Sequence, residues 1–318
     1  MGRRSGWRRT TPAAPPGAGS PAPPGRAARC RRRRRRGRWK VSKVMPPCDR
    51  LWDSHAMRER GDWDGLLANR DRAEPSTTIV APIRASSSGS SAFLALADDD
   101  CSYWVKVPGN PQGDSILSAE QIVAGAAELI GAPTATTKLV TIPSALTGWE
   151  YGQFYYLSPG VAHASELLDN VEESDEALYL DRDDNENRFP LLFALWDWCL
   201  GEDPQWLYDQ KNDMSVWSFD HGWWLGGGPA WDAESLVRLV DRDWEWPPLA
   251  EIWRSSDEGW SQASEKLENI QPDDVLDAVA RVPTTWGVSN SDLETVAWML
   301  YRRAPAVAER LQRRSGRC

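Results

Sequence analysis

Apolar and polar positions divide the chain into two halves of different rhythm. From Thr77 three short apolar runs, "TTIVAPIR", "SAFLALAD" and "SYWVKV", are separated by the turn-like stretches "ASSSGSS" and "DDDC". Such runs bounded by Gly, Ser and Asp predict strands joined as an antiparallel meander. A helix is predicted next in "SILSAEQIVAGAAELIGA", where Ile116, Ile122, Val123, Ala126, Ala127 and Ile130 recur at helical spacing and Gly131 stands where a C-terminal cap belongs. "TTKLVTI" and "GQFYYL" then read as further strands.

The second half is helical in character. "NRFPLLFALWDWCLG" predicts a helix buried on most sides and ending at Gly201, followed by a loop, "EDPQWLYDQKND", and a strand, "VWSFDHGWW". Beyond Gly228 come "AESLVRLVD", "PPLAEIWR", "DEGWSQASEKLEN", "DDVLDAVARV" and "SDLETVAWMLYRRAPAVAERLQRR". The last opens on Ser291-Asp292-Leu293-Glu294, a capping-box pattern. Strands with one helix, then a helix-dominated part, predict an α+β, bilobal arrangement. No repeat recurs at solenoid periods.

Charge changes this picture at the N-terminus. Up to Cys48 there are thirteen Arg, two Lys and no acid, and the remainder carries 22 basic against 46 acidic residues, a net of −24. An acidic body is a poor binder of nucleic acid. Residues 1–56, Pro-, Ala- and Arg-rich, are expected to be disordered, as a basic arm or as an over-extended start preceding Met45 or Met57. The organisation expected is this tail, a β-rich lobe over 75–160 and a helical lobe over 161–315. No apolar run reaches the ~20 residues that span a bilayer, and no signal-peptide centre is present, so a cytoplasmic protein is expected. Five scattered cysteines without a CxxC pair suggest neither a zinc site nor a disulfide framework. Most of the nineteen tryptophans are expected in the core. His163 has no visible partner and receives no role.

Candidate chemistry falls at four acids and bases. Phosphoryl transfer needs a cation on the phosphates, an acid holding that cation, carboxylates for Mg²⁺ and an acid orienting the attacking hydroxyl. Lys106 ends the third strand, and Glu120 sits on the following helix, the placement kinases use for their Lys–Glu pair. Asp203 opens a loop after the buried helix, and Asp220 closes a strand before Gly222, where the sheet would hold a metal ligand rigidly. Residue by residue the plainer readings stand beside these. Lys106 reads equally as a solvated strand lysine, Glu120 as a surface glutamate, and Asp220-His221 as a turn whose carboxylate accepts backbone N–H groups.

The stretch from Ser86 to Leu225 resembles the HipA-like kinase family. The resemblance rests on Gly89 in a Gly/Ser loop, Lys106 in a "VK" strand, the turn Asn110-Pro111-Gln112-Gly113, Glu120 in a helix leading to Gly131-Ala132-Pro133, "FALWDWCLGEDPQWLYD" and "SVWSFDHGWWL". It implies a protein-kinase-like fold with a small β-rich lobe and a helix-dominated lobe. It further implies ATP with Mg²⁺, Lys106 on the phosphates supported by Glu120, and Asp203 as catalytic base or hydroxyl-orienting acid. Asp220 would bind the metal, and Ser87, Ser88, Gly89 and Ser90 would cover the phosphates. The implied acceptor is a Ser or Thr hydroxyl of a protein substrate, and a neutralising partner protein is the other partner it suggests. Three positions depart from the family: Pro204 and Gln205 follow Asp203, and Tyr208 stands five residues on, where kinases place the Asn for a second Mg²⁺. Gln205, Asp209 or Asn212 is then the substitute ligand. A nucleotide-binding pseudokinase and a kinase-like enzyme acting on a small molecule or lipid are the alternative readings.

Overall fold

A computed structural model describes residues 59–86, 89–113, 115–245, 252 and 254–314. The expectations for the tail 1–56, for Ser87 and Ser88, and for most of the helix read in "PPLAEIWR" lie outside the described residues.

The three predicted strands form as read: β1 (Thr77–Ala85), β2 (Phe93–Ala97) and β3 (Ser102–Lys106) pair antiparallel in sequence. After helix α1 (Ile116–Ile130) comes β4 (Thr137–Ile142). The run read as one strand in "GQFYYL" instead turns back on itself as a hairpin of β5 (Glu150–Gly152) and β6 (Tyr155–Tyr156). Then β7 (Gly160–Glu166) inserts between β3 and β4 and closes a barrel in the order β1-β2-β3-β7-β4, with β1 and β4 parallel over Thr77 and Thr78. The barrel therefore reaches to Glu166.

A second sheet underlies the expected catalytic segment. Strands β8 (Val171–Ser174), β9 (Trp206–Asp209) and β10 (Ser215–Ser218) pair antiparallel in the order β10-β9-β8. Strand β9 occupies what reads as a loop, and β10 stops at Ser218, before Asp220. Between β8 and β9 runs helix α2 (Asn185–Trp198), buried on most sides as predicted. Pro190 inside it lacks the N–H that would reach Glu186, and Ser256 N–H takes the Glu186 carbonyl instead at 3.1 Å. Asn185, the first residue of α2, is buried. It donates to Tyr179 O and Met214 O and accepts from Val216 N at 2.8 Å, which fixes the start of β10.

Helices α3 (Ala233–Leu239), α4 (Asp257–Glu268), α5 (Pro272–Ala280) and α6 (Asn290–Arg314) complete the chain. The α6 cap lies two residues earlier than the sequence suggests. Ser289 Oγ accepts from Asp292 N at 3.0 Å, while Glu294 is buried and accepts from Leu67 N at 2.9 Å. Two apolar clusters result. The smaller fills the barrel; the larger joins the helices and contains the buried face of α1. A Cβ on Gly125 of α1 would lie 3.0 Å from Ala278 of α5, so these helices pack at backbone distance. Trp196, Trp198 and Trp224 are buried as expected, whereas Trp223 is exposed. Of the described cysteines, Cys199 is a buried free thiol and Cys101 is disulfide-bonded, which the scatter of cysteines did not suggest. No described helix is long and apolar enough to cross a membrane.

Candidate active site

Three elements converge on one ammonium group. Lys106 at the end of β3 donates from Nζ to Glu120 Oε1 of α1 at 2.5 Å and to Asp220 Oδ1 after β10 at 2.5 Å. The Lys106 and Glu120 side chains are buried, while Asp220 is 25% exposed and marks the open side of the cluster. The plain reading of Lys106 and Glu120 as solvated surface groups is thereby corrected. Glu120 Oε2 accepts the His221 backbone N–H at 3.1 Å, so this glutamate positions both the lysine and the turn that carries Asp220.

Electrostatics keep Lys106 and Glu120 ionised. Burial alone would raise the Glu120 carboxyl, but the Lys106 charge outweighs it and holds the group down at about 2. Burial would likewise depress Lys106; Glu120 and Asp220 instead raise it above the ordinary lysine range. Two imidazoles stand near Glu120 Oε2, His221 Nδ1 at 3.8 Å and His163 Nε2 at 4.0 Å. Burial pushes each down to about 4, more than the Glu120 charge can restore, so both are neutral at pH 7. His163, given no role from sequence, stands opposite Lys106 in the β3–β7 register.

The turn at Asp220 is tightly made. Asp220 has φ +57°, and Ser218 Oγ lies 2.8 Å from His221 Nε2. A Cβ on Gly222 would lie 3.1 Å from Ile116 Cβ, so glycine lets α1 approach the turn. Ser218 N also donates to Pro133 O at 2.9 Å, which fastens the Gly131-Ala132-Pro133 segment to the end of β10. Gly131 itself caps α1 at φ +75°.

The catalytic-loop candidate runs beside this turn. Leu225 N and Gly226 N donate to Cys199 O and Leu200 O, drawing the segment after Asp220 against the base of the loop. At Gly201 any Cβ would lie 2.6 Å from the Trp196 ring. Asp203 is exposed at φ +55°, and its Oδ2 accepts from Gln205 Nε2 at 2.8 Å. Tyr208 is not a loop residue. It lies in β9 with its ring in the core, its hydroxyl donating to Glu176 O at 2.6 Å and accepting from Leu178 N at 2.8 Å. Counting five residues from Asp203 thus overruns a short loop, and Gln205 is the last residue before the strand. Asp209 is also committed elsewhere, accepting from Lys211 N at 2.9 Å and from the Asn212 side-chain amide.

On the barrel side, the Asn-Pro-Gln-Gly turn supports the Gly/Ser loop. Asn110 Nδ2 donates to Ser90 O at 2.7 Å, and its Oδ1 accepts from Gln112 N at 3.1 Å. Gly89 lies against Gln112, whose amide would be 3.2 Å from a Cβ there.

Residues 79–211 match the HipA-like kinase family (HipA_2). Among solved structures, the chain is similar to the Helicobacter pylori proinflammatory kinase CtkA, at 11% identity and a TM-score of 0.50 over 76% of this chain and 97% of that one. A Golgi casein kinase aligns at 10% identity and a TM-score of 0.44, over 80% of this chain and 75% of that one. No curated protein sequence matches. The family resemblance read from the motifs is matched over residues 79–211, which supports a kinase-type phosphotransferase, and the fold is protein-kinase-like.

Proposed function

From a segment that matches the HipA-like kinases, we propose an ATP-dependent phosphotransferase that phosphorylates a Ser or Thr hydroxyl of a protein. The observation that carries this reading is the Lys106 ammonium held between Glu120 and Asp220 by β3, α1 and the turn after β10. An ammonium anchored on two carboxylates keeps a fixed place for phosphate oxygens, and positioning with charge stabilisation is most of what this reaction asks of a protein.

The divalent metal was tested against the donors present. No group of three or more His, Cys, Asp or Glu among the described residues forms a metal cage. Magnesium carried on nucleotide phosphates needs only one or two protein carboxylates, and the partly exposed Asp220 suits that need. Asp220 would hold the ion, with the Gln205 amide oxygen as the further donor. When bound, Mg²⁺ would neutralise charge on the phosphates. The remaining steps belong to side chains of the chain. Lys106 orients the phosphates; Glu120 keeps Lys106 and the Asp220 turn in register. Gly89 and Ser90 cover the phosphates through backbone N–H groups. Asp203, steadied by Gln205, accepts the hydrogen bond of the acceptor hydroxyl and takes its proton as the oxygen attacks.

The pseudokinase reading drew on Tyr208, and that phenol belongs to the core packing of β9. The test is incubation of the full chain with radiolabelled ATP and Mg²⁺, reading label on protein and ATP consumed, beside Asp203→Asn and Asp220→Asn. Turnover should fall by about 10²-fold or more in each variant. Undiminished turnover in either variant would remove that residue from the mechanism, and no turnover in the wild type would remove the mechanism.

A further inference from the structure

We infer that His163 and Gln121 form a latch that fixes α1 against the barrel at the height from which Glu120 reaches Lys106, making both positioning residues for nucleotide binding. The inference rests on the nucleotide-binding reading of the Lys106 cleft and adds to it two residues whose side chains meet no substrate.

The geometry of the latch is closed on every side. Gln121 follows Glu120 on α1 and is buried; its Nε2 lies 3.0 Å from His163 Nδ1 and 3.3 Å from Lys138 O of β4. His163 Nε2 lies 2.9 Å from Ser165 Oγ, and His163 is buried. The Gln121 amide must present nitrogen, because an oxygen there would face the Lys138 carbonyl. Its two N–H groups then go to Lys138 O and to His163 Nδ1, which leaves the imidazole proton on Nε2 for Ser165. The neutral tautomer is set by its neighbours.

Two consecutive residues of α1 therefore hold four separate places. Glu120 reaches Lys106 of β3 and the His221 backbone, while Gln121 reaches β7 and β4. Because α1 packs with the larger core, its position relative to the barrel depends on such cross-ties. Loss of the Gln121 bond strands a buried imidazole nitrogen and a buried amide, and the helix can relax only by moving Glu120 with it. His163 is thus joined to the phosphate-binding lysine through the helix rather than by direct contact.

The test is equilibrium binding of MgADP to the full chain, with phosphotransfer assayed separately. His163→Leu and Gln121→Met should each weaken MgADP about tenfold, a loss on the scale of one buried polar contact. His163→Gln, which keeps an acceptor toward Gln121 and a donor toward Ser165, should stay within about threefold of wild type. In a Lys106→Met background, His163→Leu should add less than about twofold, because coupled sites are not additive. Wild-type affinity in His163→Leu, or the same tenfold loss without Lys106, would overturn the latch. If His163→Leu does not fold, Gln121→Met decides by the same two comparisons. MgADP binding without phosphotransfer would sink the kinase reading and leave the latch standing; no MgADP binding by the wild type would sink both.

Discussion

Two buried ion clusters in this protein use similar groups to opposite ends. In the helical core, Asp197 of α2 is fully buried between Arg303 and Arg310 of α6. The Arg303 guanidinium also donates to Trp198 O, Leu239 O, Val240 O and Arg242 O, as well as to Asp197 O and Oδ1. Every Arg303 donor direction ends on the protein, so this guanidinium knits α2, α6, the end of α3 and the segment after it together. At Lys106, among the described residues, two acceptors serve an ammonium with three protons, and Asp220 is partly open to solvent. A saturated guanidinium has nothing left for a ligand, whereas an ammonium with an N–H to spare can donate it as a hydrogen bond to a phosphate oxygen.

The sharpest way to break that contrast is to remove one acid from each. Asp197→Ala leaves the buried Arg303 guanidinium without a carboxylate and Arg310 with Asp243 alone, and should cost about 3–5 kcal/mol in urea unfolding. Asp220→Asn leaves Lys106 on Glu120 and should cost less than about 1 kcal/mol, because its effect falls on turnover. Equal stability losses would erase the distinction drawn between the two clusters.

A smaller effect separates the clusters by pH. His163 titrates at about 4 when folded against an ordinary 6.5, so the unfolded chain takes up its proton first as pH falls. Its contribution is fully present above pH 6.5 and is lost as pH falls toward 4; between pH 7 and pH 5 the loss should be about 2 kcal/mol. His163→Gln should remove this share of the slope and leave the similar share of His221, which burial also holds at about 4, and an unchanged curve would contradict a neutral buried imidazole. The smallest effect calibrates the others at a site remote from both clusters: Ser289→Ala should cost about 1 kcal/mol as the loss of a helix cap, and Ser291→Ala measurably less.

Much of the scaffold is legible where neighbours in sequence decide the outcome. The meander before Lys106 and α1 with its Gly131 cap are local patterns, and they form as read. Lys106, Glu120 and Asp220 were chosen by their order along the chain, and the fold brings them together. What escaped depends on pairing between distant segments. Strand β7 is rich in small residues, so its periodicity is weak, and His163 gains a partner only when β7 docks beside β3 and under α1. Tyr208 was misplaced because the loop after Asp203 is shorter than the spacing used to count along it. Ser289 was passed over because Glu294, the apparent capping partner of Ser291, is engaged with Leu67 across the fold.

The packing of α1 with the larger core decides where the molecule would part. The natural seam does not follow the boundary between strands and helices in the sequence. It runs between the barrel and α1, and so passes between Lys106 and Glu120. Any rocking of the barrel on the helices pulls on this salt bridge and on the Gln121 contacts beside it, so the pair works as a strain gauge of the fold.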